Sequence, residues 1–128
     1  MGLTLAKSFS RRVQNLRELI TFIQVLESEI QFARTTLPNV ITVQATQYSG
    51  DMGRFLNILS TRLKAGTGER FGTIWEEGIQ NLASNGLPKS ALEDLHSLGD
   101  VLGTTDVTEQ VKHLKVLLHR LEQALQIA

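Results

Sequence analysis

"LGTTDVTEQVKHLKVLLHRLEQALQ", residues 102–126, carries near the end of the chain the helical pattern that decides the fold. Its apolar residues alternate spacings of four and three positions: Val107, Val111, Leu114, Leu118, Leu121 and Leu125. Such a seam is typical either of a coiled coil between two chains or of a helix that packs inside a bundle. Because five other segments are also amphipathic, the pattern favours the bundle.

Those five segments show apolar residues at helical spacing, and no run alternates with period two for long enough to indicate a strand. The first helix is predicted from about Ser8 to Ala33, with one apolar face. A second begins at "TTLPNV", where Thr36 is a plausible N-cap and Pro38 suits a first turn, and it ends near Tyr48. The expected inward-facing residues of helices one, three, four and five are Val13, Leu16, Ile20, Ile23, Leu26 and Ile30; Met52, Phe55, Leu56, Leu59 and Leu63; Phe71, Ile74, Trp75, Ile79 and Leu82; and Leu92, Leu95, Leu98 and Leu102.

Breaks between these segments have ordinary helix-ending chemistry. "KAGTGE" stops helix three, "SNGLP" ends helix four with a glycine and a following proline, and helix five runs from about Ser90 to Leu102. The sequence therefore predicts an all-α fold, a compact antiparallel bundle of about six helices forming one domain over residues 1–128.

Composition excludes several classes of function. Lys plus Arg equals Asp plus Glu at 13 each, so no net charge attracts nucleic acid, an anionic membrane or an acidic substrate. The absence of cysteine removes disulfides and thiolate chemistry. No run of about 18 to 20 apolar residues could form a membrane helix, so the chain is expected to be soluble, either alone or as the soluble part of a longer membrane protein.

Candidate catalytic and metal-binding patterns fail on spacing. "GTGERFG" has its third glycine one residue late for a dinucleotide loop and follows a helix rather than a strand. His113 and His119 are six residues apart and point to different faces of one helix, so they cannot share a zinc ion. The adjacent acids diverge around their helices and are expected on a solvated face: Glu76 with Glu77, and Glu93 with Asp94. We expect no enzyme activity, no metal and no cofactor.

A basic cluster opens the first helix: Lys7, Arg11, Arg12 and Arg17, with no acidic residue before Glu18. Three interpretations stay open: a solvated helix end, a nucleic-acid contact, or the cytoplasmic flank of a membrane helix outside this chain. Aromatic residues are too few to favour stacking on bases, so nucleic acid is the least favoured partner.

The turn into the last helix has the chemistry of a cap. Asp106 with Glu109 three residues later fits an N-cap with a reciprocal side chain, and Gly103 suits the turn out of helix five. Gln110 and His113 flank the seam and are placed to hydrogen-bond with a neighbouring helix, whereas Lys112 should be more exposed. Both a structural role and direct contact with a partner are open for this motif.

The same motif resembles the C-terminal signature of the stage III sporulation protein AB family, in which a Leu-Gly pair, an Asp three residues on and a Gln-x-Lys-His group recur. The matching residues are Leu102, Gly103, Asp106, Gln110, Lys112 and His113. "GLTLAKSFSRRVQNLREL", which contains Arg12, looks like the family's segment after its first membrane helix, and "FGTIWEEGI" looks like its segment around a tryptophan.

"LESEIQFARTTLP" resembles the family's Leu-Glu-x-Glu-Ile turn and the corner that follows it, through Leu26, Glu27, Glu29, Ile30, Leu37 and Pro38. Thr36 stands where the family often has a first proline, which leaves the entry angle of helix two open. The resemblance covers almost the whole chain.

The resemblance implies a platform protein of endospore formation. Its helical domain would lie between two membrane helices absent from this chain, on the cytoplasmic side of the mother-cell membrane around the forespore. It would be similar to the cytoplasmic domain of type II secretion and type IV pilus platform proteins. It would bind the hexameric secretion-type ATPase encoded beside it and other components of the forespore channel complex, with no small-molecule substrate. The alternatives are an adaptor that dimerises through the last helix and a nucleic-acid-binding domain.

Overall fold

A computed structural model describes residues 2–33, 35–83, 87–104 and 106–127, with the backbone alone for residues 2–11, 83 and 127. Over these residues the chain is all-α, as predicted, with six α-helices and no strand. The helices are α1 (Gly2–Ser28), α2 (Leu37–Ala45), α3 (Gly50–Ala65), α4 (Phe71–Ala83), α5 (Lys89–Thr104) and α6 (Val107–Ile127), and a π-helical turn (Glu29–Ala33) extends α1.

The boundaries correct the sequence prediction in detail. The first helix begins at Gly2 rather than Ser8, and its last five residues form the wider π turn instead of continuing as α-helix. Helix α2 ends at Ala45, before Tyr48, because the Thr46 and Gln47 N–H groups turn back onto Val43 and Gln44 carbonyls. The glycine that was expected to end α4, Gly86, lies outside the described residues.

At the corner between α1 and α2, Thr36 has the backbone geometry of a proline. Thr36 occupies the N-cap position, but its side chain makes no capping hydrogen bond. Its φ of −67° and ψ of 149° are values that a proline would also adopt. Pro38 lies in the first turn, as expected, where its missing N–H costs no helical hydrogen bond. The chain can therefore enter α2 with the same backbone geometry whether position 36 is threonine or proline.

The later helices, from α3 to α6, run in alternating directions. Trp75 in α4 donates a hydrogen bond to the Leu95 carbonyl of α5, while Phe71, one turn earlier, lies beside Gly103, two turns later. The two helices are therefore antiparallel. Short turns likewise join α3 to α4 and α5 to α6, and such short connections produce antiparallel neighbours.

Helix α1 closes the bundle between α3 and α6. Asn15 contacts Asp51 and Phe22 contacts Phe55, so α1 and α3 run in the same direction. Since α3, α4, α5 and α6 alternate in direction and α3 is parallel to α1, α6 is antiparallel to α1. The π turn at the end of α1 also contacts α6. The start of α6 and the end of α1 consequently share one end of the bundle.

The core is centred on Trp75, which is fully buried as predicted. Phe55 packs edge-on against the indole at a centroid distance of 5.3 Å, and Phe22 packs edge-on against Phe55 at 6.4 Å. The bond from Trp75 Nε1 to the Leu95 carbonyl, 2.7 Å long, satisfies the one polar group that the indole buries. Most predicted inward residues are buried, while Val13, Leu63, Phe71 and Leu92 are half-buried.

The seam of α6 packs inside this chain. Val111, Leu114, Leu118 and Leu121 are buried and Leu125 is half-buried against the core. Val107 was wrongly placed in the core: it is 47% exposed, because it is the first residue of α6 and lies at the end of the bundle. Leu117, which the heptad spacing did not include, is buried. The seam is therefore unavailable to a second copy, and the adaptor that dimerises through it is ruled out.

Candidate functional site

The turn between α5 and α6 is held by two residues of the family-like motif. Asp106 Oδ1 accepts a hydrogen bond of 3.0 Å from the Glu109 N–H, which confirms Asp106 as the N-cap of α6. Gln110 Nε2 donates to the Leu102 carbonyl at 3.2 Å, and this carbonyl belongs to the last turn of α5, where carbonyls lack helical partners. Together the two side chains cap the end of one helix and the start of the next. The return bond from the Glu109 carboxylate stays a prediction.

Neither a change of backbone direction nor close packing requires glycine at position 103. It lies within α5, and its φ is not among the positive values found at Gly50, Gly66 and Gly68. A Cβ at this position would lie 3.4 Å from the Phe71 Cβ, an ordinary van der Waals contact. The expectation that Gly103 forms the turn out of helix five was therefore wrong.

Lys112 and His113 are exposed on α6, one turn after the cap. The exposure of Lys112 agrees with its predicted position beside Val111, which is buried. His113 was expected to flank the seam within reach of a neighbouring helix, and it instead lies toward solvent. The contact of either residue with a partner stays a prediction.

Glu27 and Glu29 lie at the end of α1, and so at the same end of the bundle as the α5–α6 turn. Thr35 donates a hydrogen bond of 2.5 Å to Glu29 Oε2, which ties the π turn to the start of α2. Oε2 of Glu27 is buried and receives no hydrogen bond within the part of the chain that the structure describes. Two motifs that are about 75 positions apart in sequence are thus brought to one end.

Arg12 belongs to the other end of the bundle. It is exposed on α1, fifteen residues before Glu27, which corresponds to about 22 Å along a helix. Arg17 is exposed as well, while the side chains of Lys7 and Arg11 lie outside the described part. The candidate residues therefore divide into one group at the α5–α6 end and one residue, Arg12, far from it.

Carboxylates that the sequence assigned to a solvated face are at least partly exposed, as expected, and three of them also join neighbouring helices. His96 Nδ1 lies 2.7 Å from Glu76 Oε2, which links α5 to α4. Arg120 Nε lies 2.6 Å from Asp94 Oδ2 and links α6 to α5 as an ion pair without a hydrogen bond. Partly exposed ion pairs contribute little stability, so these contacts chiefly orient the helices.

Arg62 forms the corresponding link between α3, α4 and the turn between them. Its guanidinium binds Glu77 of α4 and Glu69 of the turn. The hydrogen bond from Arg62 lowers the pKa of Glu69, and a weaker contribution comes from the Thr67 hydroxyl. The hydrogen bonds from Arg62 to Glu69 and to Glu77 raise the pKa of Arg62. The two acids thereby orient α3 and α4 relative to each other.

A buried polar cluster between α1 and α3 was missed by the sequence analysis. Asn15 Nδ2 donates to Asp51 Oδ2 at 3.0 Å, and Arg54 Nη2 lies 2.6 Å from Asp51 Oδ1. Asp51 is 4% exposed, and a buried carboxylate needs such partners to remain charged. The available signal was the amide of Asn15 beside Leu16 on the apolar face of α1.

Tyr48 lies next to this cluster, before the start of α3. Burial raises the pKa of the Tyr48 hydroxyl, and the nearby negative charge of Glu18 raises it further. The residue therefore stays protonated at neutral pH, and its side chain packs against the core.

Fold and site together define a class: an all-α bundle whose polar motifs cap and connect its own helices. The chain belongs to the stage III sporulation protein AB family, whose model matches residues 1–128. The stage III sporulation protein AB of Bacillus subtilis (strain 168) is 30% identical over 122 residues, which cover 94% of this chain and 71% of that protein. A solved structure of a stage III sporulation protein AB superposes with a TM-score of 0.78 at 29% identity, covering 91% of this chain and 92% of the other.

Family membership implies a role in sporulation, and the relatives are named as sporulation proteins rather than as enzymes. Within the described residues, no helix is long and apolar enough to cross a membrane.

Proposed function

We propose that this chain is a non-enzymatic platform component of a sporulation channel complex, which docks the complex's secretion-type ATPase at the mother-cell membrane. Support comes from its family and from the resemblance of such domains to secretion platform proteins. The domain supplies a rigid surface, and the ATPase supplies the chemistry.

The observation that carries this proposal is the antiparallel arrangement of α1 and α6. The start of α1, with exposed Arg12, and the end of α6 point toward one end of the bundle. A domain that is attached to membrane helices on both sides requires this arrangement, because both attachments must face the same bilayer. The opposite end, with the π turn and the α5–α6 turn, then faces the cytoplasm.

A basic residue at the membrane end fits this orientation. Positively charged side chains are enriched on the cytoplasmic side of membrane helices, where they face anionic headgroups. Arg12 and Arg17 are both exposed and available for that contact. This interpretation replaces a nucleic-acid contact, for which no aromatic stacking surface accompanies the two arginines in the described part.

Binding of the ATPase from the same sporulation operon tests the proposal. The chain is immobilised at high density on a biosensor surface, so that several copies can engage one ATPase hexamer, and the ATPase is added with and without ATP. Saturable binding that disappears at low chain density is the expected result. Absence of binding at high density, with the immobilised chain folded, would contradict the docking function.

A further inference from the structure

The outward side of α6 is a continuous basic segment in the second half of the chain. Residues 110–121, "QVKHLKVLLHRL", contain Lys112, His113, Lys115, His119 and Arg120 and no acidic residue. The whole chain has equal numbers of acidic and basic residues, so this segment concentrates charge that is balanced elsewhere. Glu109 and Glu122 mark its two ends.

The basic side chains surround an exposed apolar residue. Val116 is 47% exposed, and its neighbours on the helix surface are Lys112, His113, His119 and Arg120, three or four positions away on either side. Each of these four residues is itself exposed. We call Val116, these four neighbours and Lys115 the outward face of α6. On this face, basic side chains surround one exposed apolar side chain and form a basic ring around it.

This face differs in charge from a concave surface elsewhere on the molecule. An open groove of about 1050 Å³ lies along α3 and α4, and its two arginines, Arg54 and Arg62, are neutralised by Asp51, Glu69 and Glu77. Both arginines of the groove are thus paired with carboxylates and offer no free positive charge to an acidic partner.

On α6, by contrast, only Arg120 has a carboxylate within ion-pair distance among the described residues. Its partner, Asp94 of α5, holds Arg120 at one border of the face. Lys112 and Lys115 remain available to an external anion.

We propose that the outward face of α6 is the docking surface for an acidic amphipathic helix of the partner protein. An apolar side chain of that helix contacts Val116, and its carboxylates pair with Lys112 and Lys115. This inference rests on the proposed docking function and specifies its surface. From Lys112 to His119 the face extends about 10 Å, or two helical turns, and matches two turns of a partner helix. Because the contact area is small, each copy binds weakly and several copies act together.

The test uses the same dense biosensor surface and the operon's ATPase as the probe. The double variant Lys112→Glu with Lys115→Glu is compared with Lys64→Glu with Lys89→Glu, which reverses two exposed lysines on α3 and α5. We expect the α6 pair to weaken binding at least about tenfold and the control pair to leave it unchanged, because reversal replaces attraction by repulsion at the contact.

A second pair of variants tests the apolar contact at Val116. Val116→Gln is expected to weaken binding, whereas Val43→Gln, at a valine of α2 that is 58% exposed, is not. All four variants are checked by circular dichroism and thermal unfolding, so that a loss of fold is not mistaken for a loss of contact.

Two results would contradict the assignment of this docking surface while leaving the docking function intact. The first is undiminished binding by both α6 variants. The second is loss of binding only in a variant elsewhere, such as Phe32→Gln at the exposed π turn. Failure of the unaltered chain to bind would instead contradict the docking function itself. Vesicles containing phosphatidylglycerol are the third probe. Binding of these vesicles, lost in the same α6 variants while ATPase binding persists, would show that the face meets lipid headgroups rather than an acidic protein.

Discussion

The contact between α4 and α5 and the outward face of α6 use their side chains in opposite ways. At the first, a Cβ on Gly99 would lie 2.5 Å from the Trp75 Cδ1, so the two helices approach at a distance that only glycine permits. At the second, Lys112 and Val116 lie in solvent and contribute little to the packing of the bundle. The first region fixes the fold, and the second is free to be shaped by a partner.

The motif that carries the family resemblance contains residues of both kinds. Asp106 and Gln110 act within the molecule by capping α6 and α5. Lys112, two positions after Gln110, points outward. Under the proposed docking function, the motif combines residues needed for folding with a residue needed for binding, and substitutions at individual positions can separate the two.

Trp75→Ala is expected to have the largest effect on stability. It removes a fully buried side chain, its contact with Phe55 and its bond to the Leu95 carbonyl, at a cost of about 3 to 5 kcal/mol. Urea unfolding measures the loss. A change below about 1 kcal/mol would contradict the central position of the indole.

Gly99→Ala is expected to destabilise by about 1 to 3 kcal/mol, because the new methyl group overlaps the Trp75 ring, which its hydrogen bond holds in place. Gly103→Ala is the matched control in the same helix. Its Cβ has room beside Phe71, so stability should be unchanged or rise by up to about 1 kcal/mol through helix propensity. Equal effects of the two substitutions in thermal unfolding would refute the close approach at Gly99.

Asp106→Ala should cost about 1 kcal/mol, because the Glu109 N–H loses its cap. Asp106→Asn keeps an oxygen acceptor and should retain most of the stability. If ATPase binding at matched folded fraction falls in Asp106→Ala but not in Asp106→Asn, the cap also positions the start of α6 for its partner. A stability loss that is the same in both variants would argue against the cap.

Lys112→Glu is expected to have the smallest effect on the fold, within about 0.5 kcal/mol, because the side chain is exposed. Its effect should appear only in binding, and this binding should weaken as salt concentration rises. Loss of helical circular dichroism would show that Lys112 belongs to the fold after all.

Much of the fold follows from local sequence signals. The period of the apolar residues identified all six helices and Trp75 as an inward residue, and the spacing of Asp106 and Glu109 identified the cap. These features depend on neighbours within a few positions. The exposure of Val107 was missed because heptad spacing does not show where the neighbouring helices end. The π turn was missed for a similar reason: its sequence, "EIQFA", continues the helical pattern.

Interactions between distant positions were not predictable from spacing. The buried pair of Asn15 and Asp51 joins residues 36 positions apart, and the links from His96 to Glu76 and from Arg120 to Asp94 depend on which helices become neighbours. The basic ring around Val116 was different, since it depends only on positions three and four residues apart within one helix. It could have been found from the sequence, had the outer face of the last helix been considered as closely as its seam.

Site-specific photocrosslinking tests most directly the claim that α6 has one face for the fold and one for the partner. A benzophenone amino acid is placed at Val116 or, as the control, at Val43, and each folded chain is irradiated with the operon's ATPase. The account predicts a crosslink from position 116 to an acidic helix of the ATPase and none from position 43. Crosslinking from position 43 alone, or equally from both positions, would contradict it.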